Sequence, residues 1–462
     1  MAVSKRVMAY AKENLNEVIH TTLNPDGPGV VRIHLVPPKF DEDNDLASVA
    51  IINGLDIVPV NSSWTVLLAE FIKEVNEYSG HAVTQEDTDN IVEATVKKVK
   101  KVFPFVPKKM LKNDIFTIMN TFKQVAYGET PDEAIEYISL GDYAPMMRAP
   151  HRMDLMVSAM TKDGQWHCNQ KCVHCYAAGQ ELAEEKELRT DAWKEIIDKI
   201  KAAGIPQITF TGGEPTMRDD LVELIDYSQW FVTRLNTNGI KLTKALCAKL
   251  HKASLDSVQI TFYSSDEEIH NELVGAKQFT NTVNGIENAV AEGLNISINT
   301  PLCTKNKEYT DTLRFLHAKG VRYVTCSGLI TTGNATKEES ERLQLTKEEI
   351  KDILKDAVEY CFTNDMEISF TSPGWIEKEF FTELGINTPS CGACLSNMAV
   401  TPSGNVVPCQ SWLSGPILGN MLKESWSSIW NNKDCVERRD YSALDLGECP
   451  LRIKKGEEQN EK

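Results

Sequence analysis

The sequence predicts an α/β protein, a partial (β/α)6 TIM barrel set between a mainly helical N-terminal domain and a cysteine-rich C-terminal extension. Three observations lead there. The 462 residues exceed the roughly 250 to 300 at which one hydrophobic core stops growing, so two or three domains are expected. From about residue 151 short apolar strands alternate with amphipathic helices, the mark of parallel βα units. The 12 cysteines include two tight groups, one at the head of that alternating stretch and one beyond its end.

Residues 1–145 form the first expected domain. The segment VAIINGLDIVPV, 49–60, reads as a hairpin, and Trp64, Leu67, Leu68, Phe71, Ile72 and Val75 then fall at helical spacing. Amphipathic runs near 87–103 and 109–126 add two helices. The Pro- and Gly-punctuated stretch GETPDEAIEYISLGDYAPMMRAP is the linker. Residues 146–335 form the barrel, with strands at 152–158, 207–211, 231–235, 257–263, 296–300 and 322–326. Between them lie helices whose apolar faces are Trp193, Ile196, Ile197 and Ile200, then Phe279, Val283, Ile286 and Val290. Six parallel strands are too few for the closed eight-stranded barrel, so the barrel stays open and substrates meet its C-terminal mouth. Thr346 and Glu349 form a capping box for a helix with Ile350, Ile353, Leu354, Ala357 and Val358 on one face. That helix ends the alternation and opens the third domain, 336–462, whose charged end RIKKGEEQNEK reads as a solvated tail.

Composition narrows the function. A formal net charge of -17 repels a phosphate backbone, and no basic stripe interleaved with aromatics offsets it, so nucleic acid is excluded as a partner. The first twenty residues lack an apolar signal segment, and no run reaches about 18 apolar residues, so a cytoplasmic protein without membrane contact is expected. In a reducing compartment, cysteines in this number point to metal or redox chemistry rather than to disulfides.

The segment WHCNQKCVHCYAAG places Cys168, Cys172 and Cys175 as CxxxCxxC on a loop after a strand. An electron-carrying [4Fe-4S] cluster takes four cysteines, whereas this run supplies three. The fourth iron is left open, as catalytic metal sites keep a position free. A bidentate molecule with an amino and a carboxylate group, such as S-adenosylmethionine (SAM), suits that position. A zinc site using His167 or His174 beside the three thiolates is the alternative.

Here the chain resembles the radical SAM superfamily, whose mark is this spacing with an aromatic residue after or beside the third cysteine, Tyr176 in this sequence. The resemblance implies a reduced cluster that cleaves SAM to methionine and a 5'-deoxyadenosyl radical, with a ferredoxin or flavodoxin as reductant. TFTGGEPTM resembles the family's GGE element, which implies that Gly212, Gly213 and Glu214 contact the methionyl amino group of SAM. NTNG and the following strand segment resemble further family elements and imply that Asn238 and Gln259 belong to the SAM shell. His270 reads as a surface or capping histidine. Cys303, Cys326, Cys247 and Cys361 read as small buried hydrophobes. No side chain is assigned a catalytic role.

The segment CGACLSNMAVTPSGNVVPCQSW holds Cys391, Cys394 and Cys409, with nine residues between Cys394 and Gly404 and four between Gly404 and Cys409. A Pro-Ser-Gly hairpin returns Cys409 beside the first two, and Cys449 or Cys435 could close a four-thiolate site. This resembles the CX9-15GX4C element of SPASM and twitch extensions, and LGNMLKESWSSIWNN resembles the linker found there. The resemblance implies one auxiliary [4Fe-4S] cluster held by Cys391, Cys394, Cys409 and Cys449, the distal ligand following a helix. A four-cysteine zinc ribbon is the alternative. Members with such extensions mostly modify peptides or proteins, so a radical SAM oxidoreductase acting on a peptide is expected, with the N-terminal domain as a leader-peptide binder or a packing domain. A small-molecule substrate such as a tetrapyrrole or an alcohol is the second enzyme reading, and an iron-sulfur electron carrier is the reading without catalysis.

Overall fold

The computed structural model describes residues 5–23, 31–37, 48–54, 56–78, 83–127, 129–132, 140–444 and 448–452. Parts of the expected linker, residues 128 and 133–139, and of the charged tail, residues 453–462, lie outside the described residues. The chain divides into two compact units, Met1–His151 with Lys201–Pro206, and Arg152–Ile200 with Gln207–Lys462. Among the described residues no helix is long and apolar enough to cross a membrane.

The first unit has a four-stranded antiparallel meander, Ile19–Leu23, Val31–Val36, Ser48–Ile52 and Asp56–Val60. The expected hairpin is its last two strands, turned by Asn53 and Gly54 at φ 51° and 70°. The first two strands escape a pattern reading because they bury polar side chains. Arg32 and His34 are buried, Arg32 donating to Thr22 Oγ1 at 3.1 Å and His34 lying 4.6 Å from the His20 ring. Helices Ser62–Asn76, Gln85–Val102 and Lys108–Ala126 follow. Asn61 caps the first by accepting from Ser63 N and Trp64 N, and Thr84 with Asp87 forms a capping box on the second. Leu67, Leu68 and Ile72 meet Leu35, Ala50 and Ile52 in a core that Val99 and Ile118 complete.

In the second unit, parallel strands run side by side in the order Glu367–Phe370, Tyr323–Ser327, Ile296–Pro301, Ser257–Thr261, Val232–Thr237, Gln207–Gly212 and Arg152–Ser158. Helices Thr190–Ala203, Leu221–Tyr227, Lys244–Lys252, Phe279–Ala291, Tyr309–Ala318 and Lys347–Thr363 alternate with them. The sheet is an open partial barrel with one strand more than the six expected. The capping-box helix forms as predicted, yet it leads into Glu367–Phe370 instead of ending the alternation. That strand is four residues long and exposes alternate positions, too little apolar sequence to be recognised alone. The C-terminal hairpin Asn397–Val400 and Asn405–Val407 extends the other edge, its first strand parallel to Arg152–Ser158.

The two faces of this sheet differ in chemistry. Leu155, Phe210, Leu235, Ile260 and Ile298 are fully buried. The positions between them on five successive strands, Asp154, Thr209, Arg234 and Asn236, Gln259, and Ser297 and Asn299, are polar. A barrel interior is ordinarily filled with branched apolar side chains, so a polar lumen marks space kept for a ligand.

Candidate functional site

The loop that carries the first cysteines is held from two sides. Lys171 N and Val173 N donate to Val274 O and Leu273 O, at 3.0 Å each. Asn334 donates through Nδ2 to Cys172 O at 3.1 Å and through its backbone N–H to Cys175 O at 2.9 Å. Gly275 must be glycine there, since a Cβ would stand 2.3 Å from Lys171 O at φ 63°.

Cys168, Cys172 and Cys175 lie near enough to act on one another. Burial pushes the Cys168 thiol up to about 12, with Glu214 and Cys175 adding to it. Cys172 and Cys175 are raised in the same direction, chiefly by burial, and Cys172 also by the other two thiols. Three half-buried thiols that destabilise one another's anions form a donor set that suits a polynuclear cation. Among the described residues no three of His, Cys, Asp and Glu converge closely enough for a single metal ion, which a tetrahedral zinc site with bonds of about 2.3 Å requires. Both ring nitrogens of His174 are buried without a hydrogen-bond partner among the described residues. The ring stands edge-on to Tyr263 at 5.1 Å, and burial lowers its pKa to about 4. Tyr263 itself hydrogen-bonds Cys172.

The GGE segment lies against the same loop. Gly213 N donates to Ser158 O at 2.7 Å and Gly213 O lies 3.5 Å from Cys168 Sγ. A Cβ on Gly212 would stand 2.1 Å from Ser158 O, and one on Gly213 2.8 Å from Ala159 O, so the close approach of two strands dictates both glycines. Glu214 is buried. Its Oε1 accepts from Thr216 N, Thr216 Oγ1 and Thr237 Oγ1 at 3.0, 2.5 and 2.6 Å, whereas Oε2 accepts only from Asn238 N at 2.8 Å. Burial raises its pKa against these four bonds. Oε2 therefore keeps capacity for one more donor.

Asn238 donates from Nδ2 to Asn169 Oδ1 at 2.6 Å and accepts from Ile240 N on Oδ1, so its side chain ties the third strand's end to the cysteine loop. Gln259 faces the lumen and donates to Thr325 Oγ1, which donates in turn to Asn299 Oδ1 at 2.9 Å. Tyr176 is drawn between the two cysteine groups. It hydrogen-bonds Thr211 and stands within electrostatic reach of Cys175, Asp154 and Cys409, and it packs with Met156, Ala399, Val407 and Leu413.

At the second group, Cys391, Cys409 and Cys449 act on one another, and Cys394 stands beside Cys409 and Cys435. Both candidates for the distal position are thus present. Cys394 and Cys435 act on each other in opposite directions, the Cys394 thiol pushed up by Cys435 and by burial and the Cys435 thiol drawn down by Cys394 and Arg439. Arg438 Nη2 donates to Cys391 Sγ at 3.2 Å, Arg439 Nη1 to Cys435 Sγ at 3.7 Å, and Arg452 lies near Cys449. Each arginine is braced on a ring, Arg438 over Tyr441, Arg439 over Trp430 and Arg452 over Trp375.

His270 is no surface histidine. It is fully buried, 4.8 Å from the Phe262 ring, and Tyr263 N donates to its Nδ1. The polar, acidic sequence around it on a short helix gave no sign of that core position. Cys247, Cys303, Cys326 and Cys361 are buried. Thr216 and Thr237 carry three of the four bonds to Glu214 and were missed, although the Thr of NTNG stood beside the quoted Asn238. The arginines were missed because nothing in ERRD marks it as a neighbour of a cysteine 47 positions earlier.

Comparison with known proteins accounts for both groups. Residues 167–316 match the Radical SAM superfamily model and residues 391–451 the SPASM iron-sulfur cluster-binding domain. The chain is 31% identical over 182 residues to Fe-coproporphyrin III synthase of Methanosarcina barkeri, a match covering 38% of this chain and 45%, under half, of that relative. The fold is similar to Streptococcus suis SuiB bound to S-adenosylmethionine, with TM-score 0.57 and 13% identity over 85% of this chain and 87% of that one. It is also similar to anSMEcpe with bound AdoMet, with TM-score 0.51 and 17% identity over 64% and 84%. The domains imply a [4Fe-4S] cluster with SAM at the first cysteine group and auxiliary iron-sulfur binding at the second, and the thiols at both fit those groups. The chain therefore carries a Radical SAM superfamily domain over residues 167–316 and a SPASM iron-sulfur cluster-binding domain over residues 391–451.

Proposed function

We propose that this chain reductively cleaves SAM and oxidatively modifies a peptide or protein substrate in its barrel lumen. The observation that carries the reading is that Cys168, Cys175 and Tyr176 of the first loop pack against the cluster of Ala399, Val407 and Leu413 from the segment of the second cysteine group, with Tyr176 within electrostatic reach of Cys409. When bound, the first cluster supplies the electron that splits SAM into methionine and a hydrogen-abstracting 5'-deoxyadenosyl radical, and the second can take the electron left on the substrate.

The chain's own residues have definite tasks in this reading. Cys168, Cys172 and Cys175 hold the first cluster and leave one iron open. Glu214 Oε2, with its spare acceptor capacity, receives the methionyl ammonium, while Thr216 and Thr237 fix the carboxylate through Oε1. Gly212 and Gly213 let that carboxylate approach, Asn238 holds the cysteine loop against it, and Gln259 lines the lumen below. Tyr176 fills the space between the two groups. Cys391, Cys394, Cys409 and Cys449 hold the second cluster. Cys435, set beside Cys394 and Arg439, is the neighbouring thiol in this reading. In the first unit, a sheet followed by three helices offers edge strands Ile19–Leu23 and Asp56–Val60 for pairing with an extended leader peptide.

A tetrapyrrole is the second reading, favoured by the 31% identity to Fe-coproporphyrin III synthase. One anaerobic experiment separates the alternatives. Reconstituted enzyme, SAM and dithionite should yield 5'-deoxyadenosine, and none would defeat the enzyme reading in favour of an electron carrier. Consumption of a peptide encoded beside the gene, with loss of two hydrogens by mass, supports the first substrate class. Turnover of Fe-coproporphyrin precursors without any peptide product replaces it with the second.

A further inference from the structure

The lumen holds an unmatched charge. Asp154, Thr209, Arg234 and Ser257 stand in register on four neighbouring strands, so their side chains share one face at one level. The residues that follow them, Leu155, Phe210, Leu235 and Val258, are all buried on the opposite face. Asp154, buried in the lumen wall, is already taken, because Arg152 lies with Nε 2.8 Å from Oδ1 and Nη2 3.3 Å from Oδ2. That pair cancels its own charge. Arg234 has no hydrogen bond or ion pair among the described residues. Burial and the neighbouring Arg152 hold its pKa down to about 10 against the weaker pull of Asp154, so it remains a cation at neutral pH.

A half-buried guanidinium without a partner costs free energy that a ligand can recover. Its planar fork matches an oxyanion that accepts two parallel N–H bonds. The remaining lumen positions, Asn236, Gln259, Ser297, Asn299 and Thr325, are neutral amides and hydroxyls. Arg152, Asp154 and Arg234 together leave one positive charge on this part of the lumen, with Glu367 away on the exposed edge strand, so a monoanion suits Arg234 better than a phosphate dianion. The position is also removed from the cofactor end. Arg234 lies four residues, about 13 Å along an extended strand, before Asn238 at the mouth.

We infer that Arg234 is the docking point for a carboxylate of the substrate. The inference rests on the proposed radical chemistry at the mouth above, which would place the substrate in this lumen. The carboxylate could belong to a Glu or Asp side chain of a peptide or to a propionate arm of a tetrapyrrole.

The test uses the reconstituted holoenzyme with SAM, as wild type, R234Q and R234K. The probes are coproporphyrin III and its tetramethyl ester, and a capped peptide with a single glutamate and its glutamine counterpart. At least one acid should bind R234Q about tenfold or more weakly than wild type, the difference expected for a charged hydrogen bond. R234K should recover part of it, and the neutral counterpart should not discriminate. Discrimination of the porphyrin alone identifies a propionate, and of the peptide alone an acidic side chain. If neither acid discriminates wild type from R234Q, the inference is overturned. A tenfold loss of SAM affinity in R234Q, with no effect on either acid, also overturns it by giving the guanidinium to the cofactor. Formation of 5'-deoxyadenosine by wild type in the same samples reports on the proposed activity separately, so the two failures are distinguishable.

Discussion

The two cysteine groups share a ligand type and are set in opposite electrostatic surroundings. The thiols at 168, 172 and 175 face a buried carboxylate, Glu214, with neutral hydrogen-bonding groups from Gly213, Gln170 and Tyr263. The thiols at 391, 394, 409 and 449, with Cys435 alongside, face Arg438, Arg439 and Arg452. Negative surroundings disfavour adding an electron to a cluster, whereas cations and N–H donors at its sulfurs favour it. The surroundings thus favour a lower potential at the first site than at the second.

The strongest way to break this comparison is to remove one site and ask whether the other survives. Replacing Cys168, Cys172 and Cys175 with Ala should abolish 5'-deoxyadenosine formation and remove about four irons per chain, while leaving the iron and sulfide of the second group in place. Iron, zinc and sulfide analysis checks it. Zinc in place of iron at the second group would end the two-cluster description.

A smaller expected effect separates the two candidates for the distal ligand. Cys449 stands with Cys391 and Cys409, whereas Cys435 is hydrogen-bonded to Cys394. Four thiolates on one cluster must reach four different irons, and Cys449 is the candidate set beside both Cys391 and Cys409. Cys449→Ala should therefore lower the iron of the second group and bleach its visible absorption, and Cys435→Ala should leave both near the wild-type level. The reverse pattern would make Cys435 the ligand.

Much of the first group was legible in the sequence because its ligands lie within eight consecutive residues and dictate their own loop. Glu214 was legible for a related reason, since Gly212 and Gly213 beside it meet backbone too closely for any other residue. What stayed hidden is held by contacts between distant segments. Thr237 reaches Glu214 from another strand, and Arg438 reaches Cys391 from a helix that looks ordinary in sequence. The seventh parallel strand was lost because EISF is short and half exposed, and the first meander strands because Arg32 and His34 are buried where a polarity pattern puts them outside. In each case tertiary pairing, rather than local periodicity, fixed the outcome.

The finest test addresses the charge difference itself. Arg438 donates to Cys391 Sγ at 3.2 Å and is braced by Tyr441 at 4.4 Å, so its charge is held in place rather than free to move away. A hydrogen bond to a charged group is worth about 1.5 to 3 kcal/mol, and it should favour the reduced cluster more than the oxidised one because the extra electron is partly on sulfur. If the difference between the two states amounts to about 1.4 kcal/mol, the one-electron potential changes by ~59 mV. Arg438→Gln should accordingly move the second cluster down by about that amount, and Arg438→Lys, which keeps the charge and loses the fork, by less. The first cluster should not move in either variant. Redox titration followed by electron paramagnetic resonance measures both clusters in one sample. A shift common to both would point to general loosening of the fold, and no shift at the second would mean that Arg439 and Arg452 carry the positive surroundings without Arg438.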